Sequence, residues 1–291
     1  MKNIPEIDWK RVDTLIALAF EEDLDTLGDT TTNSVVPADS AASAVLICKE
    51  PGMIIAGLCV AERVFKTIDP ALKFTWLKQE GDSCSVGERI AEISGSARSI
   101  LTAERTALNF LQRLCGIATT SGRYAALLEG CKTVVLDTRK TTPGYRNLEK
   151  YAVAVGGATN HRVGLYDRVM IKDNHREMAA MEGAGGIARS VARAREMFPE
   201  LEVEVEADRL EEVQEALETG AEYIMLDNMS DEMMTEAVKM VGGRSKLEAS
   251  GGITIERLPR IGKIGVDFVS VGALTHSVKA ADISLDIQVQ K

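Results

Sequence analysis

The sequence predicts an α/β protein whose larger part is an incomplete (β/α) barrel of about six or seven parallel strands, preceded by a smaller unit built on antiparallel strands. Three observations predict it. From residue 133 onward, apolar strand-like runs alternate with helical patterns, which means parallel strands joined by right-handed crossovers. Nearly every one of these runs ends in a polar or charged group, and converging strand ends are how a (β/α) barrel builds a site at its C-terminal rim. The stretch from 133 to 272 is too short for eight units, because a full barrel takes roughly 250 residues.

The elements follow in order. Trp9, Val12, Leu15, Ile16 and Ala19 have helical spacing and form the expected buried stripe of a first helix. TLGDTTTNSVVPADS is rich in turn formers and reads as a loop. AVLICKE, GMIIAG, LKFTWLKQ and RIAEISG are short β-like runs, with turns at Pro51-Gly52, Glu80-Gly81-Asp82 and Val86-Gly87. EGDSCSVGERIAEISG resembles the turns of biotin- or lipoyl-carrier barrels, but no lysine stands at a hairpin tip, so a small antiparallel sheet is expected. Ser99 to about Leu128 reads as one long helix, with Ala107, Leu111, Leu114 and Ala118 as its apolar stripe.

The barrel runs are TVVLD, RVMIK, LEVEVEA, YIMLDN, KLEAS and DFVSVGA. They deliver Asp137-Thr138-Arg139-Lys140, Lys172-Asp173-Asn174-His175, Glu204 or Glu206, Asp227-Asn228, Glu248 with Ser250-Gly251-Gly252, and Gly272. In LEVEVEA, the period of two puts Glu202, Glu204 and Glu206 on one face. A parallel strand is normally buried on both faces, so acids there need partners or a role. Ser250-Gly251-Gly252 follows a strand and precedes a helical stretch, where backbone N–H groups could meet an anion. A plain turn explains those glycines equally well. Gly183-Ala184-Gly185-Gly186 reads as a mobile loop.

Composition narrows the function classes. The chain has 291 residues, 45% hydrophobic and 27% charged, an ordinary globular balance. No apolar run approaches the ~20 residues a membrane span needs, and the N-terminus lacks a secretory pattern. Cys48, Cys59, Cys84, Cys115 and Cys131 are scattered, with no CxxC pair, which points to reduced core thiols in the cytoplasm. A net charge of -10 argues against nucleic-acid binding. Against that background, seven cations crowd between Arg139 and Lys172: Arg139, Lys140, Arg146, Lys150, Arg162, Arg168 and Lys172. Only Glu149 and Asp167 oppose them, and His161 adds a further donor. A solvated basic face is one reading; a small, strongly anionic ligand is the other, favoured because several of these residues sit at strand ends. Arg146 and Arg168 are expected at the surface, and His175 and His276 in unremarkable roles.

TAERTALNFLQRLCGIAT, DTRKTTPGYR, GGATNHRVGLYDRVMIKDNH, LEVEVEA, YIMLDN, LEASGGI and VGALTHS occur in this order. Together they resemble the successive signature segments of the quinolinate phosphoribosyltransferases (nicotinate-nucleotide pyrophosphorylases, decarboxylating). The resemblance covers nearly the whole chain; Tyr145, where an aliphatic residue is expected, is a minor departure. It implies an N-terminal α/β sandwich over residues 1–115, rejoined by the tail 277–291, and an open α/β barrel over 116–276. It implies transfer of phosphoribose from phosphoribosyl pyrophosphate to quinolinate with loss of CO₂, in a homodimer or assembly of dimers with shared sites. By position, Arg139, His161, Arg162 and Lys172 would hold quinolinate, with Arg105 supplied by the partner. Lys140, Glu204, Asp227, Ser250, Gly251, Gly252 and Gly272 would surround the donor, with Glu204 and Asp227 holding Mg²⁺ and Lys140, Glu204 and Asp227 acting in catalysis.

The chemistry suits the residues. Guanidinium groups bind carboxylates in bidentate fashion, and arginines clustered in an empty site are costly unless an anion arrives. A ribosyl transition state resembles an oxocarbenium ion, which carboxylates stabilise. No Ser/His/Asp or Cys/His nucleophile set stands out, and no general base is assigned. The rivals are a related phosphoribosyltransferase using nicotinate or another anionic acceptor, a barrel aldolase with Lys140 or Lys172 as Schiff-base former, and a non-catalytic sensor of pyridine carboxylates.

Overall fold

The computed structural model describes residues 4–289. Residues 1–3 and 290–291, at the outer ends of the expected 1–115 domain and 277–291 tail, lie outside the described residues. In chain order the first half carries α1 (Trp9–Leu24), α2 (Thr30–Val35), β1 (Ala41–Cys48), β2 (Met53–Ile54), α3 (Leu58–Ile68), β3 (Lys73–Trp76), β4 (Ser83–Cys84), β5 (Arg89–Ser96) and α4 (Ala97–Ala126). There follow β6 (Val134–Leu136), α5 (Arg146–Gly156), β7 (Val169–Ile171), α6 (Asp173–Ala180), α7 (Gly186–Met197), β8 (Val203–Ala207), α8 (Leu210–Glu218), β9 (Tyr223–Asp227), α9 (Asp231–Val241), β10 (Lys246–Ser250), α10 (Leu258–Ile264), β11 (Phe268–Ser270), α11 (Ala273–His276) and β12 (Ile283–Val289). Two compact units contain them: Met1–Gly122 with Thr141–Gly157 and Leu274–Lys291, and Arg123–Lys140 with Ala158–Ala273.

In the first unit, a four-stranded antiparallel sheet has the order β12-β1-β5-β3. β12 pairs with β1 from Ala42↔Val289 to Cys48↔Ile283, so the chain's last strand completes the sheet begun by its first. Ala107, Leu111, Leu114 and Ala118 are buried along α4, as their spacing requires. On the same helix, Gly116 lies so close to the tail that a Cβ would fall 2.3 Å from the Lys279 carbonyl oxygen. α1 departs from the expected stripe. It buries Val12, Ile16 and Phe20, while Trp9 stays exposed beneath the Arg63 guanidinium. Tyr145 stacks on Phe110 with ring centroids 5.6 Å apart, which explains an aromatic residue there. Of the five thiols, Cys48, Cys84 and Cys115 are buried, but Cys131 is exposed and does not serve the core.

The second unit is the expected incomplete barrel. Its six parallel strands run β6-β11-β10-β9-β8-β7, with helices between successive strands. β6 and β7 are consecutive in sequence yet form opposite edges, so the seam lies between them. In place of another strand, Thr159 makes a single bridge to Leu136, and irregular chain continues from Asn160 to Arg168. Central strands are buried on both faces, as parallel strands are. The Gly183–Gly186 stretch forms a short loop that ends at α7: Gly185 takes a left-handed conformation and the helix starts at Gly186. No helix among the described residues is long and apolar enough to cross a membrane.

Candidate active site

Six strand ends meet on the C-terminal side of the parallel sheet. After β6 come Asp137, Thr138, Arg139 and Lys140; after β7 comes Lys172; β8 carries Glu204 and Glu206; β9 ends at Asp227, β10 at Ser250, and Gly272 follows β11. The seam supplies His161 and Arg162, both buried. The arginines of this side feel one another: burial lowers the Arg162 pKa, and the Arg139 charge lowers it further. Held cations that disfavour each other are what an anion site looks like before its ligand arrives.

The seam residues are fixed from beneath. Asp137, fully buried, accepts the His161 backbone N–H at 2.7 Å and the Asn160 side-chain amide at 2.9 Å. His161 Nδ1 accepts the Arg162 backbone N–H at 2.7 Å. On the other side of the ring, Nε2 lies 3.3 Å from Oε2 of both Glu204 and Glu248. The Arg162 guanidinium donates to the Arg168 carbonyl at 2.9 Å. Arg168 is not the surface residue its context suggested. It reaches Glu204 at 3.4 Å and Glu202 at 3.6 Å, and its guanidinium stacks 3.9 Å above the Tyr223 ring.

This network separates two glutamates that the period-two pattern cannot. Glu204 is fully enclosed among His161, Arg168 and Glu248. Burial opposes its charge, but His161 and Arg168 prevail and lower its pKa. Glu206, one pleat nearer the strand end, is partly exposed. Burial raises its pKa, Lys172 opposes that, and the Asp227 charge raises it again. Lys172 Nζ stands 3.9 Å away. Asp227 is thus an electrostatic neighbour of Glu206, whereas Glu204, the acid expected beside Asp227, faces His161, Arg168 and Glu248. Both ring nitrogens of His161 face protein groups, Nδ1 the Arg162 N–H and Nε2 the Glu204 and Glu248 carboxyls.

The Ser250-Gly251-Gly252 turn is built tightly. Gly251 has φ +83°, and a Cβ there would fall 2.2 Å from Asn228 Oδ1. Asn228 itself is left-handed, and its backbone N–H bonds the Ser250 carbonyl at 2.9 Å. The expected helix start is not adjacent, since α10 begins only at Leu258. Any anion affinity here comes from the turn's own N–H groups. Lys140 is exposed one residue beyond Arg139. Arg105 is exposed on α4, in the other unit. His175 acts locally, its Nδ1 accepting the Lys172 N–H at the start of α6.

Residues 29–115 match the N-terminal domain of the quinolinate phosphoribosyl transferase family, and residues 117–286 match its C-terminal domain. The chain is 44% identical over 306 residues to a chloroplastic nicotinate-nucleotide pyrophosphorylase [carboxylating] of Arabidopsis thaliana, covering 98% of this chain and 84% of that one. It is 41% identical over 269 residues to a probable nicotinate-nucleotide pyrophosphorylase [carboxylating] of Bacillus subtilis, covering 92% and 90%. Among solved structures, it is similar to the nicotinate-nucleotide pyrophosphorylase of Francisella tularensis, with TM-score 0.91, 40% identity and coverage of 98% and 99%. At 12% identity and TM-score 0.62, human nicotinic acid phosphoribosyltransferase shares the fold, over 96% of this chain and 73% of that one.

Proposed function

This chain belongs to the quinolinate phosphoribosyl transferase family, and from that premise we propose that it transfers phosphoribose from phosphoribosyl pyrophosphate to quinolinate, releasing pyrophosphate and CO₂ and forming nicotinate mononucleotide for NAD biosynthesis. The observation that carries the reading is the pairing of two opposite environments on one sheet: Arg139, Arg162 and Lys172 for a dianion, and Glu206 with Asp227 for a ribosyl cation.

The acceptor's two carboxylates meet the guanidinium groups of Arg139 and Arg162 and the ammonium of Lys172, with Arg105 of a neighbouring subunit completing the set. The donor's phosphates are met by Lys140 and by the N–H groups of the Ser250–Gly252 turn, with Gly272 leaving room at the end of β11. As the bond between ribose C1 and the pyrophosphate oxygen breaks, positive charge develops on the sugar, and the Glu206 and Asp227 carboxylates stabilise it. The pyridine nitrogen bonds to C1. The ring, now cationic, accepts the electron pair left when the C2 carboxylate departs as CO₂, and C2 then takes up one proton. No protein nucleophile is required.

Mg²⁺, which the family implies, fits the pair Glu206 and Asp227: these are hard oxygen donors, burial raises Glu206 and the Asp227 charge raises it further, and a divalent cation would offset that repulsion. Bound there with the donor, it would neutralise charge on the leaving pyrophosphate.

Incubation with phosphoribosyl pyrophosphate, Mg²⁺ and either quinolinate or nicotinate tests the reading. Nicotinate mononucleotide together with stoichiometric CO₂ from quinolinate is expected. Turnover of nicotinate alone, or binding of quinolinate without turnover, would reject it.

A further inference from the structure

The three groups His161, Glu204 and Glu248 offer ligand atoms within 4.8 Å of one another, all buried. Their arrangement argues against a metal and for a proton. A metal on Nε2 would require the imidazole proton to sit on Nδ1. That nitrogen already accepts the Arg162 N–H at 2.7 Å, and two donors cannot face each other there. Arg168 also occupies Glu204.

Counting charges leaves one proton to place. With Arg168 cationic, the cluster is neutral if His161 is an imidazolium and both glutamates are charged. It is equally neutral if His161 is a neutral ring and Glu248 is a carboxylic acid. The first arrangement puts a second proton on Nδ1, against the Arg162 N–H. It also leaves Glu248 charged, although burial and the Glu204 charge oppose that and only His161 and Ser270 favour it, neither through a well-aligned hydrogen bond. A buried charge so poorly supplied with donors is costly. The second arrangement removes both penalties. Nε2–H then faces the Glu204 carboxylate 3.3 Å away, and the Glu248 carboxylic acid, with one donor and one acceptor, lies beside both, the ligand atoms of the three groups within 4.8 Å of one another. Burial pushes Glu248 toward its neutral form, and the Glu204 charge adds to this. The neighbouring carboxylates also push His161 upward, to about 9, against the effect of burial. Both groups therefore favour the one shared proton, and the Nδ1 contact assigns it to Glu248.

We propose that Glu248, as a neutral carboxylic acid, is a positioning residue for the acceptor: with Glu204 it fixes the His161 ring as its Nε2–H tautomer, and that ring fixes the Arg162 main chain. Arg162 is then supported twice, through its N–H on His161 and through its guanidinium on the Arg168 carbonyl, and both supports lead to the same buried carboxyl pair. The inference rests on the reading of Arg162 as an acceptor ligand.

Two measurements test it. In Glu248→Leu, loss of the donor and acceptor should raise KM for quinolinate roughly tenfold, the equivalent of one buried hydrogen bond, with KM for phosphoribosyl pyrophosphate unchanged. Glu248→Gln, which keeps one donor and one acceptor without charge, should recover most of that loss. Quinolinate KM unmoved in Glu248→Leu, or Glu248→Gln as impaired as Glu248→Leu, would overturn the proposal. The second measurement is the ¹⁵N spectrum of the His161 ring. The chain has three histidines, so replacing His175 and His276 isolates its signal. One protonated nitrogen, Nε2, is expected at neutral pH in the otherwise native protein and in Glu248→Gln. Protonation of both nitrogens would overturn the proposal even where the leucine variant does not fold. Wild-type protein that turns over no quinolinate would instead reject the function, while the ring spectrum still decides where the proton lies.

Discussion

Replacing Glu204 and Glu206 one at a time by glutamine should separate two roles on a single strand. The side chains share one face of β8, and each change removes a charge at nearly constant volume. Glu206 contacts Lys172 only loosely, at 3.9 Å, and the lysine is half exposed, so the pair contributes about 0–1 kcal/mol to folding. Removing the charge also relieves Asp227, so the melting temperature of Glu206→Gln should stay within about 2 °C of wild type. Turnover should fall. A carboxylate about 5 Å from a developing unit charge, at an effective dielectric constant near 20, contributes roughly 3 kcal/mol, or about a hundredfold in rate. Glu204 faces Arg168 at 3.4 Å and His161 at 3.3 Å, with no exposure of its own. Breaking a buried pair costs about 3–5 kcal/mol. Discounted for the partly exposed Arg168 and for the hydrogen bond an amide retains, roughly 2–3 kcal/mol remains, lowering the melting temperature by about 5–10 °C. Steady-state rates at saturating quinolinate, with thermal melts of both variants, decide the matter. Glu206→Gln turning over like wild type, with Glu204→Gln as stable as wild type but a hundredfold slower, would refute the assignment.

Arg139→Ala and Arg162→Ala should each weaken quinolinate binding by roughly a hundredfold, about the strength of charge-assisted hydrogen bonds, while leaving donor binding within about threefold; calorimetry showing wild-type quinolinate affinity in both would contradict the acceptor assignment. Gly116→Ala places a Cβ 2.3 Å from the Lys279 carbonyl oxygen and should destabilise the first unit by about 1–3 kcal/mol; an unchanged denaturation midpoint would mean the tail does not pack there. Glu212 is lowered in pKa despite the opposing effect of burial, because Arg209, the Asp208 N–H and Arg176 favour its charge. Its stabilisation should therefore be full above the ordinary glutamate range, near pH ~4.3, and fade as pH falls through the lower folded value; a gap between wild type and Glu212→Gln that is the same at pH ~7 and pH ~3 would exclude this. If Arg105 acts on a neighbouring subunit, mixed dimers of inactive Arg105→Ala and Lys140→Ala chains should recover roughly a quarter of wild-type activity after random reassortment, and recovery no greater than the parents, with heterodimers confirmed by mass, would place Arg105 outside the neighbour's site.

Much of the fold is legible in the residues. The six barrel strands announce themselves as apolar runs, and their polar last residues do lie on one side of one sheet. The open seam is legible only as a length, too short for eight units. What fills it, the Thr159 bridge and the irregular chain to Arg168, has no periodicity to read. Arg168 reads as a surface residue because a charged residue before a strand usually faces water. Its burial depends on Tyr223 and Glu204, which are distant in sequence. Helical spacing alone puts Trp9 in the core, but Phe20 takes the buried position at the far end of the stripe.

The glutamates of β8 show the limit most clearly. A period of two puts Glu204 and Glu206 on the same face, so alternation cannot tell rim from floor. Depth along the strand decides, and depth follows from register: Glu204 lies opposite Tyr223 at the start of β9, whereas Glu206 lies opposite Met225, two residues nearer Asp227. That small step gives the two acids opposite electrostatic roles. Glu206 joins Asp227 where charge is exposed to arriving ligands. Glu204 joins Asp137 and Glu248 below, where all three are closed to water. The cationic rim therefore stands on an acidic floor. Burial and the Arg139 charge lower the Arg162 pKa, and the Arg162 main chain is held through His161, whose own backbone N–H is fixed by the buried Asp137 carboxyl.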